Sequence, residues 1–401
     1  MRQLCFGSTQ NKGNKVFAPR FIFSGLWLSQ IFLHLVFNDA FVPFEFLTWV
    51  VIVLGLIFFN FGAATSERTY LPYVSEKILD LKTSEYEITH FFNAFVVIYI
   101  VCGVLTAIEL YGALQELGAG GFNLPKIREL VIQDFTGERV LYNQFRVFYV
   151  GVGFSIFFIA LSSQLTGRQI VAALTIGIVS ALLTTGRLYL LLYFLSVTAL
   201  LYRAKYVTAR GVLIAAFVFI LLFFMVAVLL GKGEDDGVIS VFDSVLWNSQ
   251  VYLMSSVSCF NDFLATGSQT MEGGALLPNP AREFFSLLGI TIPPKPNLLP
   301  FSEVPVPCNT YTYMFPLFHD GALFGVAIGS FCIGFLHQYL YLNFKYAEEP
   351  ILSYLYAISI YAIFMSVFED AYFSSPGFWL MLLVPPSVYY LFRKIRTIQM
   401  A

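Results

Sequence analysis

Long apolar runs alternate with short polar segments along most of the chain, and this pattern predicts membrane-spanning helices. A helix needs about 20 mainly apolar residues to cross a bilayer. The predicted fold class is therefore an all-α polytopic membrane protein with about ten transmembrane helices. The runs lie near residues 20–37, 45–63, 91–113, 146–163, 168–185, 188–204, 211–231, 318–342, 350–368 and 376–392. Two short runs meet around Gly186 and Arg187, where we expect a tight hairpin or an interrupted helix.

One long polar interval interrupts this alternation and divides the chain into three parts. Residues 1–231 carry the first seven spans with short loops and a smaller outer segment over 114–145, residues 232–317 form one large loop, and residues 318–401 carry the last three spans and a tail. Loops of this length are usually functional. Within the loop, residues 241–264 have the apolar spacing of a helix, which we expect to lie along the membrane surface. Prolines that follow predict extended chain.

Composition supports the membrane assignment. Of the 401 residues, 58% are hydrophobic and only 12% are charged, and the mean hydropathy is +0.73. Soluble domains carry about 25% charged residues. The chain has no long basic run, so a nucleic-acid partner is not expected.

The placement of Lys and Arg predicts the orientation. With the N-terminus in the cytoplasm, 15 of the 23 basic residues fall on the cytoplasmic side, which is normally enriched in them. Both termini are then cytoplasmic and the large loop lies on the outer face of the membrane. No small-residue cleavage site follows the first apolar run, so we expect an uncleaved first span rather than a signal peptide.

Cysteines and histidines give no sign of a metal centre. Only Cys259 and Cys308 share the large loop, where an oxidising compartment would permit a disulfide, and the sequence leaves that pairing open. No Cys or His pair has zinc-ligand spacing, and no acidic cluster resembles a calcium loop. We therefore expect neither a metal nor a cofactor.

Three arginines on the predicted outer face suit an anionic ligand. Arg187 lies between two apolar runs, Arg146 opens the fourth span, and Arg282 lies in the large loop. A guanidinium binds phosphate or diphosphate well. The alternatives are lipid headgroup contacts for Arg187, a helix-end anchor for Arg146 and an ion pair with Glu283 for Arg282.

Asp320 and His319 close the large loop and are the predicted catalytic residues. Either could act as a general base, whereas the structural alternative for Asp320 is an N-terminal cap of the next helix. Glu283, Glu303 and Asp262 compete for the base role.

Other polar and aromatic side chains could line the same outer cavity. Tyr311, Tyr313 and Glu283 are the predicted ligand contacts, although aromatic residues are also common at membrane interfaces. We interpret Glu109 and the Glu369-Asp370 pair as interface residues.

Three passages of the chain resemble the O-antigen polymerase (Wzy) family, also called oligosaccharide repeat unit polymerases. They are Thr184-Thr185-Gly186-Arg187, Tyr252 to Phe260, and Asn309 to Thr312 with Pro316 to Asp320 and Gly325. The family tends to have Asp-Phe-Gly where this chain has Asp320-Gly321-Ala322. The resemblance implies a GT-C-like bundle that acts as an inverting, metal-independent glycosyltransferase in polysaccharide biosynthesis.

The resemblance also implies the substrate and the partners. Undecaprenyl-diphosphate-linked oligosaccharides would be joined on the periplasmic face of the bacterial inner membrane into a lipopolysaccharide O-antigen or a capsule. A chain-length regulator (a polysaccharide co-polymerase) and a flippase would be partners. By resemblance, Arg187 would bind the diphosphate and Asp320 would match the family's carboxylate. The residues themselves suggest that Tyr311 and Tyr313 would stack on the sugar rings of such a substrate. Alternatives are an O-antigen ligase, a lipid-linked oligosaccharide flippase or transporter, and a scaffolding membrane protein.

Overall fold

The computed structural model describes most of the chain. The described residues are 16–37, 41–70, 85–118, 123, 126–130, 133, 144–184, 186–229, 241–267, 274–296, 299, 301–346 and 349–400. Of the smaller outer segment predicted over 114–145, the greater part lies outside the described residues. The side chains of Arg146 and Arg187 lie outside them too, although both residues belong to described helices.

Helices make up nearly all of the described structure. They are α1 (Pro19–Val36), α2 (Phe46–Thr69), α3 (Glu85–Glu116), α4 (Gln144–Ala160), α5 (Gly167–Leu183), α6 (Arg187–Arg203), α7 (Ala209–Leu229), α8 (Val241–Thr266), α9 (Asn279–Leu287), α10 (Met314–Tyr346), α11 (Pro350–Met365) and α12 (Pro376–Met400). The strands β1 (Ser302–Glu303) and β2 (Pro307–Cys308) pair antiparallel. The all-α prediction is confirmed.

Each predicted apolar run coincides with a helix. Among the described residues, three helices are long and apolar enough to cross a membrane, namely Phe46–Thr69, Glu87–Glu116 and Met314–Tyr346. Val147–Ala160, Gly167–Leu183, Leu188–Arg203, Ala209–Leu221 and Pro350–Met365 are shorter apolar helices. The protein is therefore membrane-embedded, and the number of spans stays a prediction.

The two short runs form a tight helical hairpin, as predicted. α5 begins with a capping box in which Thr166 and Gln169 satisfy each other's backbone N–H groups, and α6 begins at Arg187. The Tyr193 hydroxyl of α6 donates to the Leu174 carbonyl of α5 at 3.0 Å. Gly177 leaves room for the Tyr193 ring, because a Cβ there would be 2.1 Å from it.

α2 and α10 pack backbone against backbone through glycines. A Cβ on Gly62 would stand 2.0 Å from the Phe331 carbonyl oxygen, and one on Gly334 would stand 2.1 Å from that of Phe59. Small residues permit such an approach, which maximises van der Waals contact where lipid provides no hydrophobic driving force. This contact fixes where α10 lies.

α10 begins earlier than predicted and is broken. The eighth span was expected from residue 318, but the helix begins at Met314 and departs from helical geometry at Ala322 (φ 47°, ψ −143°). A backbone with positive φ is normally reserved for glycine. This chain has alanine at position 322. After the break, Gly325 approaches the Leu317 carbonyl, so Met314 to Gly321 folds back on the rest of α10.

Part of the large loop forms a small unit of its own against the bundle. The predicted helix is present as α8, and its Leu253 carbonyl accepts from Gln30 of α1 at 2.7 Å. A disulfide between Cys259 and Cys308 joins α8 to β2, with a Cα–Cα distance of 6.5 Å. Residues 291–296 form no regular secondary structure, and the extended chain predicted from the prolines stays a prediction. That α8 lies along the membrane surface stays a prediction.

We expect Gly62→Ala to destabilise the protein by about 1–3 kcal/mol, because the added methyl overlaps the α10 backbone. The measurement is the unfolding temperature in detergent. Gly103→Ala is the matched control in α3, since a Cβ there meets nothing within 4 Å. Equal unfolding temperatures for the two variants would show that the α2–α10 contact is not as close as described.

Candidate functional site

Asp320 holds part of the large loop against the broken helix. Its Oδ1 accepts from the Ala275 backbone N–H at 2.7 Å and its Oδ2 accepts from that of Leu276 at 2.8 Å. His319 Nδ1 lies 2.6 Å from Oδ1. Gly274 has a φ of +85°, and a Cβ there would lie 2.8 Å from Asp320 Oδ2. Both oxygens of Asp320 therefore bind the backbone of another segment, and its role as a cap of the helical part that follows the break at Ala322 stays a prediction.

Two cations hold the same loop segment from its other side. Arg282 is only 2% exposed, and its guanidinium donates to the carbonyls of Leu277 (2.9 Å), Gly274 and Pro293. Lys295 Nζ donates to the Ala275 carbonyl at 3.0 Å. These contacts give Arg282 a structural role. Its predicted binding of a diphosphate stays a prediction, and it would require these backbone bonds to be exchanged.

A pair of acidic residues lies in the linker between α11 and α12, with Asp370 buried and Glu369 half-buried. Asp370 is 7% exposed, and its Oδ1 accepts from the backbone N–H groups of Tyr372 and Phe373, each at 3.0 Å. Its Oδ2 has no hydrogen-bond partner in the part of the chain that the structure describes. The neighbouring carboxylate of Glu369 accepts from the Tyr361 hydroxyl at 3.4 Å. The sequence interpretation placed this pair among interface residues, and its burial emerges only in the fold.

The acidic pair and the loop cations influence each other through charge. Burial lowers the pKa of Lys295, while the negative charges of Asp370 and Asp320 oppose that shift. Burial also raises the pKa of Asp370 to about 6, although the hydrogen bond from the Phe373 N–H and the Lys295 charge both act to lower it. The pKa of Glu369 is raised to about 7 by burial and by the Asp370 charge. Two adjacent carboxyls of this kind exchange protons near neutral pH.

Aromatic contacts connect this pair to the start of α6. Tyr361 and Tyr189 both pack on Phe378, with ring centroids 5.5 Å and 5.6 Å away. Tyr189 also stacks on Tyr149 of α4 at 4.5 Å. Tyr189 follows Arg187 by two residues. The beginnings of α4 and α6, which carry Arg146 and Arg187, therefore meet the acidic linker at one end of the bundle.

An apolar cavity of about 460 Å³ opens between α3, α4 and α5 near that same end. Its lining includes Tyr99, Val104, Leu110, Phe148, Val179 and Leu183. Phe148 is two residues from Arg146, and Leu183 is four residues from Arg187. The cavity thus lies beside the two arginine-bearing helix starts.

The predicted aromatic contacts lie in the core. Tyr311 is 1% exposed and stacks on Phe315 at 4.5 Å, while Tyr313 is fully buried with its hydroxyl 2.9 Å from Ser330 Oγ. Glu283 is exposed on α9. Stacking of either tyrosine on a ligand stays a prediction and would require the ring to be uncovered. Sequence alone does not separate these positions, because core and interface aromatics share one pattern.

No group of three or more His, Cys, Asp or Glu side chains in the described residues could hold a metal ion. The site is instead composed of carboxylates, cations and aromatic rings, which suits proton transfer and the binding of anions.

Comparison with known proteins gives one informative match. Over 197 residues the chain is 23% identical to an O-antigen polymerase of Shigella dysenteriae. The chain is similar to an O-antigen polymerase. The match covers 49% of this chain and 49% of the relative, so the chain spans about half the length of the curated relative it matches. No family model and no solved structure matches the chain. The match confirms the resemblance found in the sequence.

We expect Asp320→Asn to lower the stability by about 1–3 kcal/mol, because one amide oxygen cannot replace two carboxylate acceptors and a buried N–H loses its partner. Thermal unfolding in detergent measures the change. Glu303→Gln is the control, since Glu303 is exposed on β1. A variant as stable as this control would contradict the contact between Asp320 and the loop.

Proposed function

We propose that this protein polymerises lipid-linked oligosaccharide repeat units into a surface polysaccharide. The similarity to an O-antigen polymerase and the apolar helices support the class of reaction. The observation that carries the proposal is the meeting of the α4 and α6 starts with a buried acidic linker at one end of the bundle. Cations for a diphosphate and carboxylates for a proton are what such a transfer needs.

The reaction is a glycosyl transfer between two lipid-linked sugars. The growing chain leaves its undecaprenyl diphosphate and moves to the non-reducing end of a new lipid-linked repeat, with inversion at the anomeric carbon. The diphosphate is already a good leaving group, so the site mainly has to stabilise developing negative charge. Arg187 and Arg146 supply that positive charge. Metal-independent catalysis follows from the same reasoning.

The apolar cavity suits the polyprenyl tail of the donor. It has a volume of about 460 Å³, its lining is almost entirely hydrocarbon, and it lies beside the starts of α4 and α6. A lipid diphosphate needs this pairing of an apolar surface with neighbouring cations. The tail would lie along α3 while the diphosphate reaches Arg187 and Arg146.

We place the site on the periplasmic face of the inner membrane, with both termini in the cytoplasm. The excess of Lys and Arg in the segments predicted on the same side of the membrane as the N-terminus supports this orientation. The disulfide between Cys259 and Cys308 supports it independently, since disulfides persist in the periplasm and are rare in the cytosol. A flippase would deliver the substrate to that face, and a chain-length regulator would act on the growing polymer.

The glycan profile of a deletion strain tests the proposal. We expect surface lipid that carries a single repeat unit, with the polymer ladder restored by the wild-type gene. Loss of all attached glycan with accumulation of lipid-linked polymer would instead indicate a ligase. Single lipid-linked repeats trapped on the inner face would indicate a flippase.

Arg187→Ala should abolish the polymer ladder while the protein remains in the membrane, because the diphosphate loses its cation at the start of α6. The deletion strain complemented with the variant provides the measurement, with the amount of membrane protein followed on immunoblots. Arg168→Ala is the control, since Arg168 is exposed in the first turn of α5, at the opposite end of the hairpin. Normal ladders from the Arg187 variant would remove this residue from the site.

A further inference from the structure

We propose that Asp370, with Glu369 beside it, is the group that accepts the proton from the attacking sugar hydroxyl. This inference rests on the proposed function, and it assigns the base to the linker between α11 and α12 rather than to the end of the large loop. The ligand class is a hydroxyl group on the terminal sugar of the acceptor repeat unit.

The hydrogen bonds of Asp370 leave one oxygen available. The Tyr372 and Phe373 N–H groups fix Oδ1, so the carboxylate has one orientation, whereas Oδ2 is buried without a partner among the described residues. Burying an unpaired carboxylate oxygen is costly, and such atoms are rare unless they have a function. A hydroxyl donor from a bound ligand would satisfy Oδ2.

Asp320 differs from Asp370 in this respect. Both of its oxygens accept backbone N–H groups of the large loop, and His319 contacts one of them as well. A base in that position would have to give up the bonds that hold Ala275 and Leu276. We therefore assign Asp320 a positioning role, in which it holds the loop over the acidic linker.

The surroundings of Asp370 contain the other groups that the transfer needs. Lys295 faces it from the large loop and stabilises its charge. On the other side, Glu369 contacts Tyr361, which packs with Tyr189 on Phe378. These contacts extend from Glu369 to the start of α6, where Arg187 binds the diphosphate in the proposed function. The proton acceptor and the leaving-group cation thus lie at one end of the bundle.

The transfer needs no reactant other than the two lipid-linked sugars. The acceptor hydroxyl oxygen forms a bond to the anomeric carbon of the donor sugar, and its proton moves to Asp370 Oδ2. The bond between that carbon and the diphosphate oxygen breaks, and its electron pair leaves with the diphosphate. The proton passes from the carboxyl to water before the next cycle.

The assignment predicts a pH dependence. The groups that face the pair are Lys295 from the loop, Tyr361 from α11 and Tyr372 from the linker itself. Because burial raises the pKa of Asp370 to about 6 and that of Glu369 to about 7, the pair is protonated in acid. A base acts only when deprotonated, so the rate should rise with pH through about 6 to 7 and then level off.

The test uses purified full-length protein in detergent, with lipid-linked repeat units extracted from the deletion strain as substrate. Asp370→Asn should lower the polymerisation rate by about 100-fold or more and abolish the rising limb of the pH profile. Its unfolding temperature should not fall, because the amide oxygen can still accept from Tyr372 and Phe373 while a buried charge is removed. Glu45→Gln is the control, since Glu45 is an exposed carboxyl next to the start of α2.

A second variant covers the case in which Asp370→Asn folds poorly. Glu369→Gln keeps Asp370 as the base, so the rising limb should persist with its midpoint at the Asp370 pKa of about 6. Loss of the rising limb in this variant would overturn the inference, as would an Asp370→Asn rate within about threefold of the wild type with the same profile. If the wild-type protein itself forms no polymer from these substrates, the proposed function fails instead.

Discussion

The close contact between α2 and α10 is the constraint on which the rest of the structure depends. Gly62 and Gly334 let the two backbones touch, and this fixes the long part of α10 in the bundle. The break at Ala322 then turns Met314 to Gly321 back onto it. Just before α10, the Tyr313 N–H donates to the Ser366 carbonyl at the end of α11. The end of the large loop and the acidic linker are thereby held together.

The large loop supplies charged residues and also the backbone groups that bind to charged side chains. Its segment from Gly274 to Leu277 is bound by Asp320 on one side and by Arg282 and Lys295 on the other. Backbone carbonyls and N–H groups satisfy most of these charges, so the segment can be buried at acceptable cost. Lys295 also faces Asp370, and burial raises the pKa of both linker carboxyls.

Two carboxylates of the same chemical type therefore have different environments. Asp320 is saturated with hydrogen bonds, which suits a structural contact between elements that are far apart in sequence. Asp370 is anchored at Oδ1, whereas its Oδ2 has no partner among the residues that the structure describes, which suits proton transfer. Environments that drive carboxyls toward different protonation states commonly separate positioning from acid–base roles in enzymes. In the proposed reaction the helix starts with Arg146 and Arg187 supply the complementary positive charge.

The sequence by itself determined the helical membrane fold, the α8 helix and the family resemblance, because these depend on local hydropathy and short motifs, whereas it left a hairpin and an interrupted helix open at Gly186. Only the tertiary structure decided the early start and break of α10, the burial of Tyr311 and Tyr313, and the pairing of Cys259 with Cys308. It also showed the environment of Asp370, whose neighbour Lys295 comes from a distant part of the sequence. The burial of a residue and the charges around it depend on what packs against it, and the hydropathy pattern along a chain does not indicate such contacts.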